Sequence, residues 1–186
     1  PYMGIPAFDK MKVVDIKPAM LKAMELNLSE IEAIATNPEP PTFENTIVAM
    51  ERSGKVLDRA FTYYGIFSSN MSSPEFREVQ TELAPLFSEF QSKITQSEQL
   101  FQRIKTVYEA SKTKPLEADQ QRVVELTYQG FAMNGADLDD VKKKRYAAIN
   151  KELSSLYTKF SNNVLHDEEN YITYLKENQL DGLPDD

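Results

Sequence analysis

Apolar residues along this chain recur every three or four positions through long segments and seldom alternate, which is the pattern of amphipathic helices rather than half-buried strands. Leu21, Met24, Leu28, Ile31 and Ile34 form the stripe of a first helix, which Pro18 opens from the tolerated first-turn position and Asn37-Pro38-Glu39-Pro40-Pro41 stops. Thr42 is placed to cap a second, long helix ending near Ser69, with Glu44 in its first turn and Ile47, Met50, Leu57, Phe61, Tyr64 and Phe67 on its apolar face. Ser73 before Pro74 starts a third helix that carries Phe76, Val79, Leu83, Leu86, Phe87 and Phe90, and the internal Pro85 predicts a kink or break in it. Thr95 and Glu98 have the spacing of a capping box for a short fourth helix through Leu100, Ile104 and Tyr108. A fifth helix begins near Pro115 or Ala118, carries Val123, Val124, Leu126, Tyr128 and Phe131, and ends at Asn134-Gly135, a pair suited to a left-handed cap.

Asp137 caps the last long helix, whose stripe is Val141, Ala148, Ile149, Leu153, Leu156, Tyr157, Phe160 and Val164. Asp139 and Asp140 stand four residues before Lys143 and Lys144, an order that favours ion pairing along the helix. Beyond Asn170, Tyr171-Ile172-Thr173-Tyr174-Leu175 has β-type composition with no second strand in the sequence, which implies a partner outside this chain. The prediction is an all-α antiparallel bundle of about six helices, two of them long, in a single domain over residues 1–186. An extended lead occupies 1–17, the helical body 18–169 and the strand-like tail 170–186.

Composition narrows the chemistry. With one histidine, His166, and no cysteine, the chain cannot assemble the sets of three or four Cys and His ligands that zinc sites draw on, nor any disulfide. The 21 basic against 29 acidic side chains give a net charge of −8, which repels phosphate backbones and anionic lipid surfaces and excludes nucleic acid and membrane as partners. No segment approaches the roughly 20 apolar residues of a spanning helix, so the chain reads as soluble, cytoplasmic or periplasmic. Its start on Pro1 rather than Met implies a processed or engineered start, which leaves room for a removed targeting segment.

The remaining motifs favour structure over catalysis. His166, followed by Asp167, Glu168 and Glu169, has the neighbours of a carboxylate-steered base or a metal ligand, but its place near a helix end in a polar stretch favours a solvated residue. Gly130 and Gly135 have phosphate-loop spacing, yet Ala136-Asp137 stand where Lys and Ser or Thr are needed. Lys142-Lys143-Lys144-Arg145 follows three aspartates and reads as a solvated helix face. The aromatic run Phe61 to Phe67 fits core packing, with Gly65 admitting a close helix crossing or a bend. Asn27 and Asn70 begin glycosylation sequons, a pattern of low information. No catalytic, cofactor-binding or metal-binding residue is assigned.

One further signal is specific. Ile31-Glu32-Ala33-Ile34-Ala35, then Pro41-Thr42-Phe43-Glu44-Asn45-Thr46-Ile47 and Met50-Glu51-Arg52-Ser53-Gly54, resemble the N-terminal region of the thimet oligopeptidase family of zinc metallopeptidases, in its peptidyl-dipeptidase Dcp and oligopeptidase A branches. The likeness extends from Pro6-Ala7-Phe8-Asp9-Lys10 through Gly135-Ala136-Asp137-Leu138 and Phe160-Ser161-Asn162-Asn163-Val164-Leu165 to Leu180-Asp181-Gly182-Leu183-Pro184. The zinc-binding His-Glu-x-x-His of that family is not in this chain. The resemblance therefore implies a noncatalytic N-terminal lobe, one wall of a channel that admits short peptides, with zinc and catalysis in a catalytic lobe of the same polypeptide. It implies too that the isolated lobe exposes an apolar surface and self-associates. The competing reading is a stand-alone helical protein-protein interaction module.

Overall fold

The computed structural model describes residues 6–114, 116–176, 179, 181 and 182. After a 3₁₀ turn at Phe8–Lys10, the chain forms α1 (Val13–Ala35), a π-helical segment (Phe43–Val48) running into the single turn α2 (Ala49–Arg52), then α3 (Lys55–Asn70), α4 (Pro74–Thr95), α5 (Glu98–Thr113), α6 (Ala118–Met133) and α7 (Asp140–Asn170). This is the all-α bundle that the periodicity predicts. The expected start at Pro115, with Leu180 and residues 183–186 of the tail, lies outside the described residues.

Helix α1 is shared between two cores. Its N-terminal half gives Ile16, Met20, Ala23 and Met24 to a cluster with Leu57 and Phe67 of α3 and Phe76, Leu83 and Phe90 of α4. Its C-terminal half gives Ile31, Ile34 and Ala35 to a second cluster with Ile47, with Leu100, Phe101, Ile104 and Val107 of α5, and with Val124 and Phe131 of α6. Ile94, near the end of α4, packs against both. No residue of α7 belongs to either cluster.

The link after α1 is held by one buried cation. Four of the residues from Asn37 to Pro41 are Pro or Asn, and the prolines can offer carbonyls but no N–H donors. Arg103 of α5, itself buried, supplies the donors. Its guanidinium donates to the Asn37 carbonyl at 2.8 Å, the Glu39 carbonyl at 3.0 Å and Asn45 Oδ1 at 2.9 Å, and among the described residues no carboxylate pairs with it. Asn45 completes the knot. Its Nδ2 donates to the Pro40 carbonyl at 3.0 Å, and its Oδ1 accepts the Thr42 N–H at 2.8 Å while Thr42 Oγ1 accepts the Asn45 N–H at 3.1 Å, a reciprocal capping box. The Pro-Thr-Phe-Glu-Asn-Thr segment is thus a structural clamp around Arg103.

Local signals set several ends as expected. Ser73 caps α4 through the Phe76 N–H at 3.2 Å. At the end of α6, Gly135 adopts φ 87°, its N–H donates to the Ala132 carbonyl and the Ala136 N–H to the Phe131 carbonyl, the two bonds of a Schellman motif.

Other expectations need correction, each for a tertiary reason. Helix α1 begins at Val13, not Pro18; the bond Pro18 cannot make would go to the carbonyl of Val14, which is 74% exposed and open to water, while the added turn buries Ile16. The long second helix is broken at Ser53-Gly54. Gly54 takes φ 77° and donates its N–H to Glu30 of α1 at 2.7 Å, and a Cβ there would stand 3.2 Å from Asn27 Nδ2. Pro85 does not break α4, which runs through it to Thr95. Ser97, not Thr95, caps α5, because α4 continues through Thr95. Gly65 faces open space, so no helix crosses there. Asp139 rather than Asp137 caps α7, accepting from the Lys142 N–H at 2.9 Å, and it pairs with Lys142 rather than Lys143. Tyr171 to Lys176 form no strand and are exposed, since the described residues offer no sheet edge to pair with.

Helix α7 packs chiefly on α4. The pairs Arg77 with Glu169, Ala84 with Ser154 and Glu89 with Lys151 run in opposite order along the two helices, so the pair is antiparallel. These contacts are polar: Arg77 grips Glu169 through two bonds of 2.8 and 3.2 Å, and Ser154 donates to the Ala84 carbonyl at 2.8 Å.

This packing sets three expected outcomes. Phe76→Ala, which empties a fully buried site, should cost about 3–5 kcal/mol in urea unfolding, and Leu156→Ala on α7 less than about 0.5 kcal/mol. Arg103→Leu should cost on the order of 3 kcal/mol, because it leaves the Asn37 and Glu39 carbonyls without their donor. Hydrogen bonds from Lys151 and Lys142 hold the Glu89 and Asp139 carboxyls below their ordinary range. Their contribution is complete above the unfolded carboxylate range and is lost as the pH falls through their own lowered range. Amide exchange should therefore show α7 opening on acidification before α1 and α5 do.

Candidate functional site

The side chains of α7 are divided in an unusual way. Ala147, Asn150, Ser154, Thr158, Asn162 and Leu165, spaced by three or four, lie on the partly buried side turned to the bundle with Lys143 and Tyr146, and most of this side is small or polar. Ile149, Leu153, Leu156, Tyr157, Phe160 and Val164 occupy the outward side, with Leu156 54%, Tyr157 69% and Phe160 67% exposed. None of the helix's residues is fully buried. The stripe read from the sequence is real, but it faces away from the bundle. At 1.5 Å per residue the 31-residue helix is about 46 Å long, so the apolar face is extended and convex rather than a pocket.

Beyond the polar stretch from His166 to Asn170, Tyr171, Ile172, Tyr174 and Leu175 are also more than half exposed. Large exposed apolar surfaces of this kind mark interfaces.

His166 lies on the last turns of α7 beside this strip. Its backbone carbonyl accepts from Asn170 Nδ2 at 2.7 Å, and its Nδ1 stands 3.2 Å from the same nitrogen. The neighbouring Asp167 and Glu168 do not gather round it: among the described residues no three His, Cys, Asp or Glu side chains converge as metal ligands. With one histidine and no cysteine in the chain, the donor set does not fit zinc. Lys142 is occupied by Asp139, as a solvated helix face requires. Phe67 is in the core while Phe61 is 38% exposed, so the aromatic run is only partly core. No helix among the described residues is long and apolar enough to cross a membrane.

Sequence comparison identifies relatives with the same helical region. The family profile described as "Neurolysin/Thimet oligopeptidase, N-terminal domain" matches residues 18–143. The chain is 29% identical over 165 residues to a dipeptidyl carboxypeptidase of Escherichia coli (strain K12), covering 89% of this chain and 24% of that protein. It is 28% identical over 183 residues to oligopeptidase A of Salmonella typhimurium, covering 98% of this chain and 27% of that protein. A similar match, 29% over 188 residues, is made with an organellar oligopeptidase A of Arabidopsis thaliana, covering 96% of this chain and 23% of that protein. The chain thus spans about a quarter of the length of the curated relatives it matches. The clamp around Arg103, the core around Ile31 and Ile34, the other core apart from Ile16, and the Schellman turn after α6 fall within the matched residues, and the chain belongs to the neurolysin/thimet oligopeptidase N-terminal domain family.

Proposed function

We propose that this chain is the noncatalytic N-terminal lobe of a zinc-dependent oligopeptidase, and that the outward face of α7 packs against the catalytic lobe of the same polypeptide. The observation that carries the reading is the orientation of α7: a family member a quarter the length of its relatives presents an apolar strip from Ile149 to Val164 that its own bundle does not cover. Covering a Leu or Phe side chain is worth about 1.5–3 kcal/mol, so a strip of six or more such residues supplies enough for a stable interface between lobes.

In this arrangement the lobe forms one wall of a channel that admits short peptides and excludes folded proteins. It supplies shape and surface. Zinc, bound in the catalytic lobe, would activate the attacking water. Similarity to a dipeptidyl carboxypeptidase supports release of C-terminal dipeptides by the whole polypeptide. In the isolated chain the uncovered face of α7 drives self-association.

The test is to read the coding sequence beyond residue 186 and to co-express the downstream segment, as a separate chain, with this one. A His-Glu-x-x-His motif, stoichiometric co-purification and zinc-dependent peptide cleavage by the pair are expected. Leu156→Asp with Phe160→Asp should cut the association at least a hundredfold while leaving the helical content of this chain unchanged. A downstream segment that cleaves peptides at full rate alone, with no affinity for this chain, would contradict the proposal. A stop codon at that point would favour the interaction module instead.

A further inference from the structure

Four outward residues of α7, Ile149, Leu153, Leu156 and Phe160, are spaced by four, three and four, the repeat that keeps one line of a helix facing a second helix. They are 38% to 67% exposed. At about 100° per residue they lie nearly opposite the side that meets α4, so a helix laid along them does not collide with the bundle. The half-buried Tyr146 precedes the run and the polar Asn163 follows it. A run spaced four, three and four reads the same in both directions. Two copies laid antiparallel therefore close it on itself: Ile149 of one meets Phe160 of the other and Leu153 meets Leu156, which gives four apolar layers with none left uncovered.

Charge selects this direction. Glu152 and Lys159 stand seven residues apart, on one edge of the run, and neither has an ion-pair partner among the described residues. In the antiparallel register Glu152 of each copy lies beside Lys159 of the other, which makes two opposite-charge pairs. At the ends, Lys142 and Arg145 come level with His166 and Asp167 of the other copy, and Asp167 supplies the opposite charge; Lys142 is also paired with Asp139 in its own chain. A parallel pair puts the two Glu152-to-Lys159 edges on opposite sides of the interface and pairs neither residue. Edge charges of this kind set partner choice and orientation in paired helices. We infer that the 186-residue chain pairs with a second copy of itself through α7, antiparallel, with Ile149 to Phe160 buried between the copies and Glu152 set against Lys159. The inference rests on the proposed reading of this strip as an interface and names what covers it when no second lobe is attached. Such pairing is bimolecular, so dilution opens the strip, whereas a lobe on the same polypeptide stays in place at any dilution.

The experiment is sedimentation equilibrium of the 186-residue chain over a wide range of concentration. A monomer–dimer equilibrium is expected. Glu152→Lys and Lys159→Glu should each weaken the dimer about five- to tenfold, because each sets like charges together, and the double exchange should bring it back to within about twofold of the original. A mixture of Ile149→Cys and Phe160→Cys chains should join through the mixed disulfide. Neither variant should cross-link with itself, since the two copies of either position stand about 17 Å apart along the axis. All four positions are exposed, and unchanged helical content checks that each variant folds. Four results would each overturn the inference: a monomer at every concentration, a dimer indifferent to the single charge reversals, a double exchange as weak as the singles, or self-cross-linking of Phe160→Cys as fast as the mixed reaction. A monomeric chain would leave the docking of α7 on a second lobe standing, and a failed co-purification would leave the dimer measurement valid.

Discussion

Burial of the two ends of the α1 stripe is the constraint on which the bundle depends. Ile16, Met20 and Met24 organise α3 and α4 on one half of the helix, and Ile31, Ile34 and Ala35 organise α5 and α6 on the other. Each of those helices therefore has a place for its apolar face, and each finds it against α1 or against a neighbour that α1 positions. Helix α7 is outside this scheme. It reaches the bundle chiefly through α4, with a mostly small and polar side, and the apolar residues of its outward side are left over. The same rule that holds the rest of the molecule together marks α7 as unfinished.

The polar α4–α7 seam suits that role. Contacts such as Ser154 to Ala84 and Arg77 to Glu169 fix register without committing the apolar face to the interior. Surface ion pairs of this kind contribute little stability in water, on the order of 0–1 kcal/mol each. The seam thus orients the helix and leaves its opposite side exposed.

Much of this was legible in the sequence where the determinant is local. The caps at Thr42 and Ser73 and the left-handed Gly135 need only a few consecutive residues, and all three sit where local chemistry puts them. What was illegible depends on distant partners. Nothing near Gly54 in sequence announces the hydrogen bond from its N–H to Glu30 that breaks the second helix, and nothing near Asn45 announces Arg103, 58 residues away, which gives the Pro-Thr-Phe-Glu-Asn-Thr segment its purpose. The stripe on α7 is the sharpest case. Periodicity reveals that a helix has an apolar side but not what that side meets, so the apolar positions were legible and their outward direction was not.

The central claim, that the outward face of α7 is covered by a second lobe of the same polypeptide, is open to one direct measurement. The chain has no cysteine, so Leu156→Cys introduces a single thiol in the middle of the strip. Its rate of alkylation is then read in this chain alone and in the longer polypeptide that continues past residue 186. The account predicts rapid labelling in the isolated chain and protection of at least a hundredfold in the longer one. Equal labelling in both would show that the strip is not the seam between lobes.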